Sequence, residues 1–330
     1  MAKPRVRYTK SQILEEKKGK ILTHFLVTGG AGFIGSNLVD ALAKDPKNTV
    51  TVVDSLLTGF TRNVVPRKNV EFIKADVNSY EDIVAIFTSR NFDYVYHYAA
   101  VVGVQRTLDN PVSVLDDIEG IRNVLNLCKN TGVKRVLYAS SSEVYGEPVE
   151  FPQNEHTTPL NSRLPYAVVK NIGECYLRSY HQEFGLDYTI FRFFNTYGPR
   201  QSSDFVMSRF IDMALANKDI TVYGDGSQAR TFGFVDDNIA ATTAVLHHEF
   251  ARNAVINIGN DTETTILELA QKIIKLTKSK SKIIHLPPLK EGDMTRRQPD
   301  ASNMKKLLGR PLVSLDDGIK QLIAYKQKAD

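Results

Sequence analysis

The stretch Phe25–Leu38, FLVTGGAGFIGSNL, decides how the rest of this chain folds. It begins with a short apolar run typical of a buried strand and ends with apolar residues at helical spacing. Between these two parts, Gly29, Gly32 and Gly35 stand three residues apart. Residues without a Cβ let the backbone bend sharply and let a pyrophosphate approach its N–H groups. We therefore predict a strand–turn–helix unit that binds a dinucleotide at the helix start, at Phe33 and Ile34, where the helix dipole is positive.

The acid Asp54 ends the next predicted strand, VTVVD, nineteen residues after Gly35. A carboxylate at this place can accept hydrogen bonds from both ribose hydroxyls of an adenosine and repels a 2′-phosphate. The pattern therefore indicates NAD rather than NADP as the cofactor. The alternative, a glycine turn that serves packing alone, does not explain why strand, turn, helix, second strand and acid occur in this order.

Predicted strands and helices alternate along most of the chain. The strands are Phe25–Thr28, Val50–Asp54, Val70–Ala75, Tyr94–Ala99, Arg135–Ser140, Tyr188–Arg192 and, later, Ala254–Ile258. The main helical patterns are Gly35–Lys44, Glu81–Arg90, Val112–Thr131 and Tyr166–Glu183. Because the strands are nearly continuous apolar runs, the alternation predicts an α/β fold, a Rossmann-type doubly wound parallel sheet with helices on both faces.

The last third of the chain is richer in turns and predicts a smaller C-terminal lobe. We expect residues 1–20 to form a basic arm. Residues 21–197, together with about 231–260, would form the NAD-binding domain. Residues 198–230 and 261–330 would form a substrate-binding lobe.

The carboxyl ends of the predicted strands carry small or polar residues, and ligands of parallel sheets bind at those ends. The third strand leads to Asp76-Val77, and the acid there is placed to accept from an adenine amino group. Taken without the other strand ends, Asp76 would be interpreted as an acid that caps a turn or helix. The fourth leads to Ala99-Ala100, small residues that can lie beside the cofactor. The fifth leads to Ser141-Ser142-Glu143 and the sixth to Asn195.

Composition and charge disfavour several other classes of protein. The 330 residues are 42% hydrophobic and 24% charged, which suits a globular chain with a large core. Apolar runs are strand-sized and no signal peptide is visible, so we expect no membrane partner and a cytoplasmic location. Residues 1–20 carry seven Lys or Arg and two Glu, which accounts for the formal net charge of +5. The rest of the chain is thus near neutral, and we expect no nucleic-acid partner. Binding of a nucleic acid or another acidic surface by residues 1–20 is the minor alternative.

The cysteines and histidines show no metal-ligand spacing, and we expect no metal. Cys128 and Cys175 both fall in helical patterns and are interpreted as buried thiols in a reducing compartment. His97 is interpreted as a packed strand histidine.

Tyr166 and Lys170 form a Tyr-x-x-x-Lys pair, whose spacing puts both side chains on one helix face. A phenol is a poor base at its reference pKa of about 10, and a nearby ammonium favours the phenolate. Such a pair is a usable general base and acid for interconverting an alcohol and a ketone beside a nicotinamide. Ser141, at the end of the fifth strand, can hold the reacting hydroxyl against Tyr166. When the YxxxK spacing is considered alone, the alternative interpretation is a solvated pair of side chains on a helix surface.

Several stretches together resemble the extended short-chain dehydrogenases/reductases, in the NAD-dependent sugar-nucleotide epimerase/dehydratase family. They are VTGGAGFIGSNL (27–38), HYAA (97–100), SSSEVYG (140–146), YAVVK (166–170), RFFNTYGPRQ (192–201), VYGDGSQARTFGFVDD (222–237) and GDMTRRQPD (292–300). The resemblance implies a tightly bound NAD that is reduced and reoxidised in one turnover, and a nucleotide-diphosphate hexose, with a UDP-sugar favoured, that is oxidised transiently at C4. It also implies a homodimer formed through the helices near 112–131 and 166–184.

The reaction after C4 oxidation depends on Ser142 and Glu143. Dehydratases of the family resemble this chain in having Glu at the latter position, as a base for the C5 proton. UDP-glucuronate decarboxylases also have Ser-Glu there, and their GSQAR-like and RRQPD-like segments resemble those of this chain. Simple 4-epimerases usually lack the acid. Dehydration comes first in our interpretation, with decarboxylation and 4-epimerisation as alternatives; a non-catalytic NAD-binding protein would not need Ser141, Tyr166 and Lys170 together.

The substrate diphosphate requires cations, and arginine forks suit phosphate oxygens. Arg230 and Arg296 lie in segments that resemble the family's nucleotide-binding loops, and Asn195 matches its substrate-positioning Asn. Arg106 is a candidate for the sugar or its carboxylate. Arg297 is interpreted as an ordinary surface ion-pair residue.

Overall fold

The computed structural model describes residues 22–102, 110–287 and 296–329, without the side chains of residues 296 and 329. Its strands are β1 (Thr23–Thr28), β2 (Asn48–Asp54), β3 (Val70–Lys74), β4 (Tyr94–His97), β5 (Arg135–Ser141), β6 (Asp187–Phe193), β7 (Thr196–Tyr197), β8 (Ile220–Tyr223), β9 (Ala229–Thr231), β10 (Gly233–Phe234), β11 (Ala254–Ile258), β12 (Glu263–Thr265), β13 (Ile283–Leu286) and β14 (Arg296–Arg297). Seven of these form a parallel sheet in the order β11-β6-β5-β4-β1-β2-β3.

Helices cover both faces of this sheet, as the sequence predicts. They are α1 (Phe33–Leu42), α2 (Tyr80–Thr88), α3 (Pro111–Leu115), α4 (Asp117–Thr131), α5 (Pro165–Phe184), α6 (Val206–Leu215), α7 (Val235–Ala244), α8 (Ile266–Thr277), α9 (Ser302–Leu308) and α10 (Leu315–Ala329). One apolar core joins α2, α4 and α5 to one face of the sheet, and a second joins α1, α7 and α9 to the other. Along β1, Leu26 belongs to the first core and Val27 to the second, because successive strand residues face opposite sides.

The strand order defines a crevice between β1 and β4. From β1 the chain proceeds outward to β2 and β3, and then it returns to β4 and continues outward in the opposite direction. Ligands of doubly wound sheets bind at this reversal, outside the carboxyl ends of the strands. The glycine turn after β1 and the Ser141–Glu143 segment after β5 both lie at that edge.

A third, smaller apolar core lies in the C-terminal part of the chain. It combines α6, α8 and α10 with strands β8 and β10. Helix α8 begins with a capping box, in which Thr265 Oγ1 accepts from the backbone N–H of Glu268 while the Glu268 carboxylate accepts from that of Thr265. The short sheets β12-β9-β14 and β13-β8 also belong to this part.

Two predictions from the sequence are wrong in detail. The pattern over 112–131 predicts one helix, but the structure has α3 and α4, separated at Asp116. There the N–H of Glu119 donates to the carbonyl of Asp116, a tighter i→i+3 bond that interrupts the helical series. Cys175 is exposed rather than buried, whereas Cys128 is buried. No helix in the described part of the chain is long and apolar enough to span a lipid bilayer.

Candidate active site

The glycine turn after β1 closely approaches the chain that follows β4. Gly29 has a φ of +71°, and a Cβ built on it would lie 2.6 Å from the backbone nitrogen of Ala99. Glycine is required there, because both the left-handed backbone and the close approach disfavour a side chain. Gly32 precedes α1 and has no side chain that could cap its first N–H groups. The positive end of the helix, at Phe33 and Ile34, is therefore accessible to a pyrophosphate.

Asp54 lies at the carboxyl end of β2, beside this turn. It is 8% exposed; its Oδ2 accepts from the N–H of Ala31 at 2.9 Å, and its Oδ1 accepts from that of Leu56 at 2.8 Å. A carboxylate has about four acceptor sites, so hydrogen-bonding capacity remains for ribose hydroxyls. These residues fit an NAD adenosine. The exposed Asp76 caps its own turn by accepting from the N–H of Asn78, and its predicted contact with adenine stays a prediction.

Ser141, Tyr166 and Lys170 meet at the carboxyl end of β5. The side chain of Ser141 lies beside that of Tyr166, and the Nζ of Lys170 lies 5.7 Å from the centre of the Tyr166 ring. Burial raises the pKa of the Tyr166 hydroxyl, and the nearby acids Glu143 and Asp117 raise it further. The lowered phenol pKa expected from the YxxxK spacing is therefore wrong for the structure, because burial and the two neighbouring acids raise the pKa of Tyr166.

Lys170 is buried beside aromatic rings. Its Nζ lies 5.1 Å from the ring centre of Tyr138, which stacks on His97 with ring centres 5.9 Å apart. Burial lowers the pKa of Lys170 to about 8, while the charge of Asp117 raises it. Burial and the charge of Lys170 lower the pKa of His97 to about 3, so this histidine is neutral at ordinary pH. Its Nδ1 lies 2.8 Å from Oγ1 of Thr28, which fixes the ring.

Glu143 forms a two-point ion pair with Arg297. The Nη1 and Nη2 atoms of Arg297 donate to the two carboxylate oxygens at 2.8 and 3.1 Å, and Nη1 also lies 3.4 Å from the Oγ of Ser142. The guanidinium side chain is only 9% exposed and that of Glu143 is 28% exposed. The interpretation of Arg297 as a surface residue is therefore wrong, because the pairing of β14 with β9 brings it against the Ser142–Tyr145 turn.

The small sheet β12-β9-β14 gathers cations next to this pair. Arg230 on β9 is in direct register with Arg297 on the parallel strand β14. Asn195, which follows β6, donates from Nδ2 to the carbonyl of Thr231 at 3.2 Å and so lies beside the same sheet. Arg106 lies outside the described residues, as does the side chain of Arg296, and their predicted roles stay predictions.

Two functional candidates could not be singled out from the sequence. Arg297 comes 154 residues after Glu143, and its position depends on strand pairing in the C-terminal lobe. Asp117 stands in the first turn of α4, and its Oδ2 accepts from the N–H of Val101 at 2.7 Å. The sequence signal for Asp117 is an acid within the helical pattern 112–131 that follows β4, since the carboxyl end of that strand borders the crevice.

Comparisons with known proteins agree with this arrangement. A sequence model of the NAD dependent epimerase/dehydratase family matches residues 25–259. The chain is 37% identical to UDP-glucuronic acid decarboxylase 1 of Danio rerio over 97% of this chain and 75% of that protein. It is similar in structure to UDP-glucose 4-epimerase from Thermotoga maritima with UDP-glucose, at a TM-score of 0.87 and 33% identity, over 93% of this chain and 99% of the other. It is also similar to UDP-glucuronic acid 4-epimerase from Bacillus cereus in complex with UDP-glucuronic acid and NAD, at a TM-score of 0.84 and 31% identity, over 93% and 100%.

Proposed function

The chain belongs to the NAD-dependent epimerase/dehydratase family and is an enzyme that uses NAD, and from that premise we propose that it decarboxylates a UDP-hexuronate through a 4-keto sugar. The similarity to UDP-glucuronic acid decarboxylase 1 of Danio rerio supports this choice of reaction. Dehydration, which the sequence places first, becomes the second candidate. The reason lies in the surroundings of Glu143.

The observation that carries the proposal is the buried guanidinium of Arg297 beside Ser142 and Glu143. A hexuronate has a carboxylate on C5, which Glu143 alone would repel. A guanidinium has five N–H donors in a fixed fork, so Arg297 can hold a substrate carboxylate while it remains bonded to Glu143. The substrate of a dehydratase has a neutral hydroxymethyl group at this place, which would not be stabilised by a buried cation.

The cofactor site uses the residues that the sequence selects. The pyrophosphate would lie on the glycine turn, the adenosine at the ends of β2 and β3, and the nicotinamide ribose beside the YxxxK pair. The proposed contacts are Gly29, Gly32, Phe33, Ile34, Gly35, Asp54, Asp76, Val77, Ala99, Ala100, Tyr166 and Lys170. When bound, NAD supplies hydride acceptance and return at C4 of the sugar.

Tyr166 is proposed as the base that takes the proton of the C4 hydroxyl. Ser141 lies beside Tyr166 and is proposed to hold the sugar oxygen at the same point. Lys170, as an ammonium, favours the phenolate form that this proton transfer needs. After the C5 step, the same Tyr166 returns the proton to the C4 oxygen.

The step that would distinguish this enzyme is loss of CO₂ from the 4-keto sugar. The bond between C5 and C6 breaks, its electron pair moves toward the C4 carbonyl, and an enolate forms. A proton from solvent then adds at C5, so that a UDP-hexuronate and one proton yield a UDP-pentose and CO₂. Ser142, in contact with Arg297, is proposed to pass this solvent proton to C5 and to be reprotonated by water. Glu143 keeps Arg297 in place.

The UDP moiety is proposed to bind the C-terminal lobe, residues 198–230 and 261–330, through Asn195, Arg230, Arg106 and Arg296. We further propose a homodimer through α3, α4 and α5, with no nucleic-acid partner. Cys128 and Cys175 are unpaired thiols, which is compatible with the cytoplasm.

The reaction can be tested by incubating the purified protein in D₂O with UDP-glucuronate, UDP-glucose, UDP-N-acetylglucosamine and dTDP-glucose, followed by proton NMR. We expect CO₂ and a UDP-pentose with deuterium at C5 from UDP-glucuronate, and no turnover in the Tyr166→Phe variant. Formation of UDP-galacturonate without CO₂ would show a 4-epimerase. A 4-keto-6-deoxy sugar from UDP-glucose or dTDP-glucose would show a dehydratase, with Glu143 as its C5 base.

A further inference from the structure

Lysines lie in a row on the surface of the C-terminal lobe, where the chain passes from α8 to β13. Residues 278–282 have the sequence KSKSK, and all three lysines are exposed. Ser281 is buried, and Ile283 packs against the third apolar core. Because side chains alternate along an extended chain, the lysines and the exposed Ile284 lie on the outward face. We call this set the lysine stripe: Lys278, Lys280, Lys282 and Ile284.

The loop that precedes β8 holds the lysine stripe in place. Oδ1 of Asn217 accepts from the backbone N–H of Lys280 at 2.9 Å, and Oδ1 of Asp219 accepts from that of Lys282 at 2.9 Å. Between these two anchors, Lys218 is exposed and adds a fourth cation beside the stripe. Hydrogen bonds between the two segments thus concentrate four lysines in one region of the surface.

The positive charge of this region is not neutralised by the rest of the described chain. Asp219 is the acid that bonds the stripe, and it does so through a backbone N–H rather than through an ammonium group. Other lysines form the lysine ion pairs of the described residues, namely Lys134, Lys272, Lys305, Lys320 and Lys326. The stripe therefore presents free cations on a chain that is near neutral outside residues 1–20.

We propose that the lysine stripe binds an anionic lipid surface, with the Ile284 side chain entering the headgroup layer. Lysines near such a surface are attracted by its negative potential, and an apolar side chain among them adds burial. Ile284 is 41% exposed and continues the outward face of the lysines. Peripheral binding of this kind needs no spanning helix, so it revises the expectation that the chain has no membrane partner. The inference does not depend on which reaction the enzyme carries out.

Other acidic partners fit the lysine stripe less well. Binding of a single-stranded nucleic acid usually uses aromatic side chains that stack on bases, and base readout in a duplex often uses arginine forks; the stripe has neither. Protein interfaces are enriched in aromatic residues and arginine and depleted in lysine. Lysine is a point charge on a flexible stem, which suits a surface whose negative charges are diffuse and mobile.

A purely structural role of the lysines is the competing explanation. Cations stabilise the C-terminal end of a helix, where Lys278 follows α8, and lysines on an edge strand discourage pairing with other chains. Strand β13 is such an edge, because among the described strands it pairs with β8 alone. These roles need no partner, and they do not explain why an apolar side chain continues the exposed face.

The test is flotation of the full-length, NAD-bound enzyme with lipid vesicles at low ionic strength. Vesicles of equal parts phosphatidylglycerol and phosphatidylcholine are compared with vesicles of phosphatidylcholine alone. We expect binding to the first and not to the second, and weaker binding as salt is added. Replacing Lys278, Lys280 and Lys282 together with Gln should weaken binding by roughly 100-fold, at about fivefold for each lysine.

The matched control replaces three exposed lysines of the NAD-binding domain, Lys44, Lys47 and Lys68, with Gln. This variant has the same net charge as the stripe variant, and we expect it to bind within about twofold of the wild type. Ile284→Ser, which leaves the charge unchanged, should weaken binding by about tenfold. Circular dichroism verifies that each variant is folded. If the triple stripe variant does not fold, Lys280→Gln and Lys282→Gln are measured singly.

The outcomes separate the lysine stripe from other sources of binding. Selective loss in the stripe variant, with the control variant unaffected, supports the proposal. A wild-type enzyme that does not bind the anionic vesicles overturns it. So does equal binding by the two triple variants, which would assign the binding to residues 1–20 or to net charge. Binding of a DNA duplex that is lost in the stripe variant, without vesicle binding by the wild type, would assign the stripe to nucleic acid and also overturns it. Failure of the proposed decarboxylation changes none of these results.

Discussion

At the scale of single residues, the pair of Arg297 and Glu143 offers the sharpest prediction. Replacing Arg297 with Gln removes the cation that we propose holds the C5 carboxylate, and it leaves the partly exposed Glu143 to solvent. We expect kcat/KM for CO₂ release from UDP-glucuronate to fall by roughly 100- to 1000-fold, the usual effect of deleting one oriented donor at a reacting group. Arg297→Lys keeps the charge but loses the fork of N–H donors. Its kcat/KM should therefore lie between that of the wild type and that of Arg297→Gln. The measurement is CO₂ release at a fixed pH.

The control for this prediction is Arg90→Gln. Arg90 also makes a two-point pair with a glutamate, Glu71, but this pair is exposed at the edge of the sheet. We expect no change in CO₂ release, because exposed pairs of this kind contribute little. Decarboxylation by Arg297→Gln at the wild-type rate would contradict the proposed contact.

Some residues of the candidate site can be recognised from a short stretch of sequence, and others cannot. Gly29, Asp54 and Tyr166 could be identified because each has its signal within a single strand, turn or helix. Arg297 could not, because its contact with Glu143 joins parts of the chain that are 154 residues apart. The raised pKa of Tyr166 has the same origin, since spacing shows the neighbouring Lys but not the burial.

At the scale of elements, a buried ion pair joins helix α5, which carries Tyr166, to β6. Glu174 is fully buried and accepts from Nε and Nη2 of Arg192 at 2.9 and 2.7 Å, and from Ser140 at 2.7 Å. Arg192 is 2% exposed and also donates to the hydroxyl of Tyr145, in the turn that carries Glu143. The pair thus connects the helix of Tyr166 with the Ser142–Tyr145 turn.

We expect Glu174→Gln to lower the free energy of unfolding by about 3–5 kcal/mol, because it leaves the buried Arg192 without its counter-charge. Urea unfolding followed by circular dichroism measures this change. Glu119→Gln, which breaks an exposed pair with Arg122, should cost at most about 1 kcal/mol. A double replacement, Glu174→Leu with Arg192→Met, should be less damaging than Glu174→Gln alone. Equal costs for the two Gln variants would show that the buried pair contributes no more than a surface one.

The sequence predicts the type and order of the helices and strands better than it predicts the residues at which they begin and end. Strands β1 to β6 and β11 all coincide with predicted apolar runs. The break at Asp116 was not visible, because the apolar spacing continues across it while a single i→i+3 bond divides the helix. The short strands β9, β12 and β14 have no periodic signal, since two or three residues are too few to show one.

At the scale of the whole molecule, the site is built where distant segments converge on one edge of the sheet. In the proposed enzyme, the glycine turn would bind the cofactor, the β5–α5 region would carry out proton transfer, and strands β9 and β14 would supply the cations. Alternating strands and helices predict the first two, because the order of a parallel sheet places strand ends together. The third depends on how the C-terminal lobe folds against the sheet, which no periodicity in residues 198–330 reveals.

The proposed homodimer is the property of the whole molecule that is simplest to test. Helices α3 and α5 expose apolar side chains: Val112 is 71% exposed, Leu115 43% and Phe184 45%. A second copy of the chain that packs the same helices together would remove these side chains from water. We expect Val112→Asp combined with Leu115→Asp to convert a dimer into a monomer in sedimentation velocity, because two carboxylates would be buried in the interface without partners. Ile284→Asp, on an exposed residue of β13, should leave the dimer intact. A dimer that survives the double substitution would place the interface on another surface, and a wild-type chain that sediments as a monomer would overturn the proposed assembly.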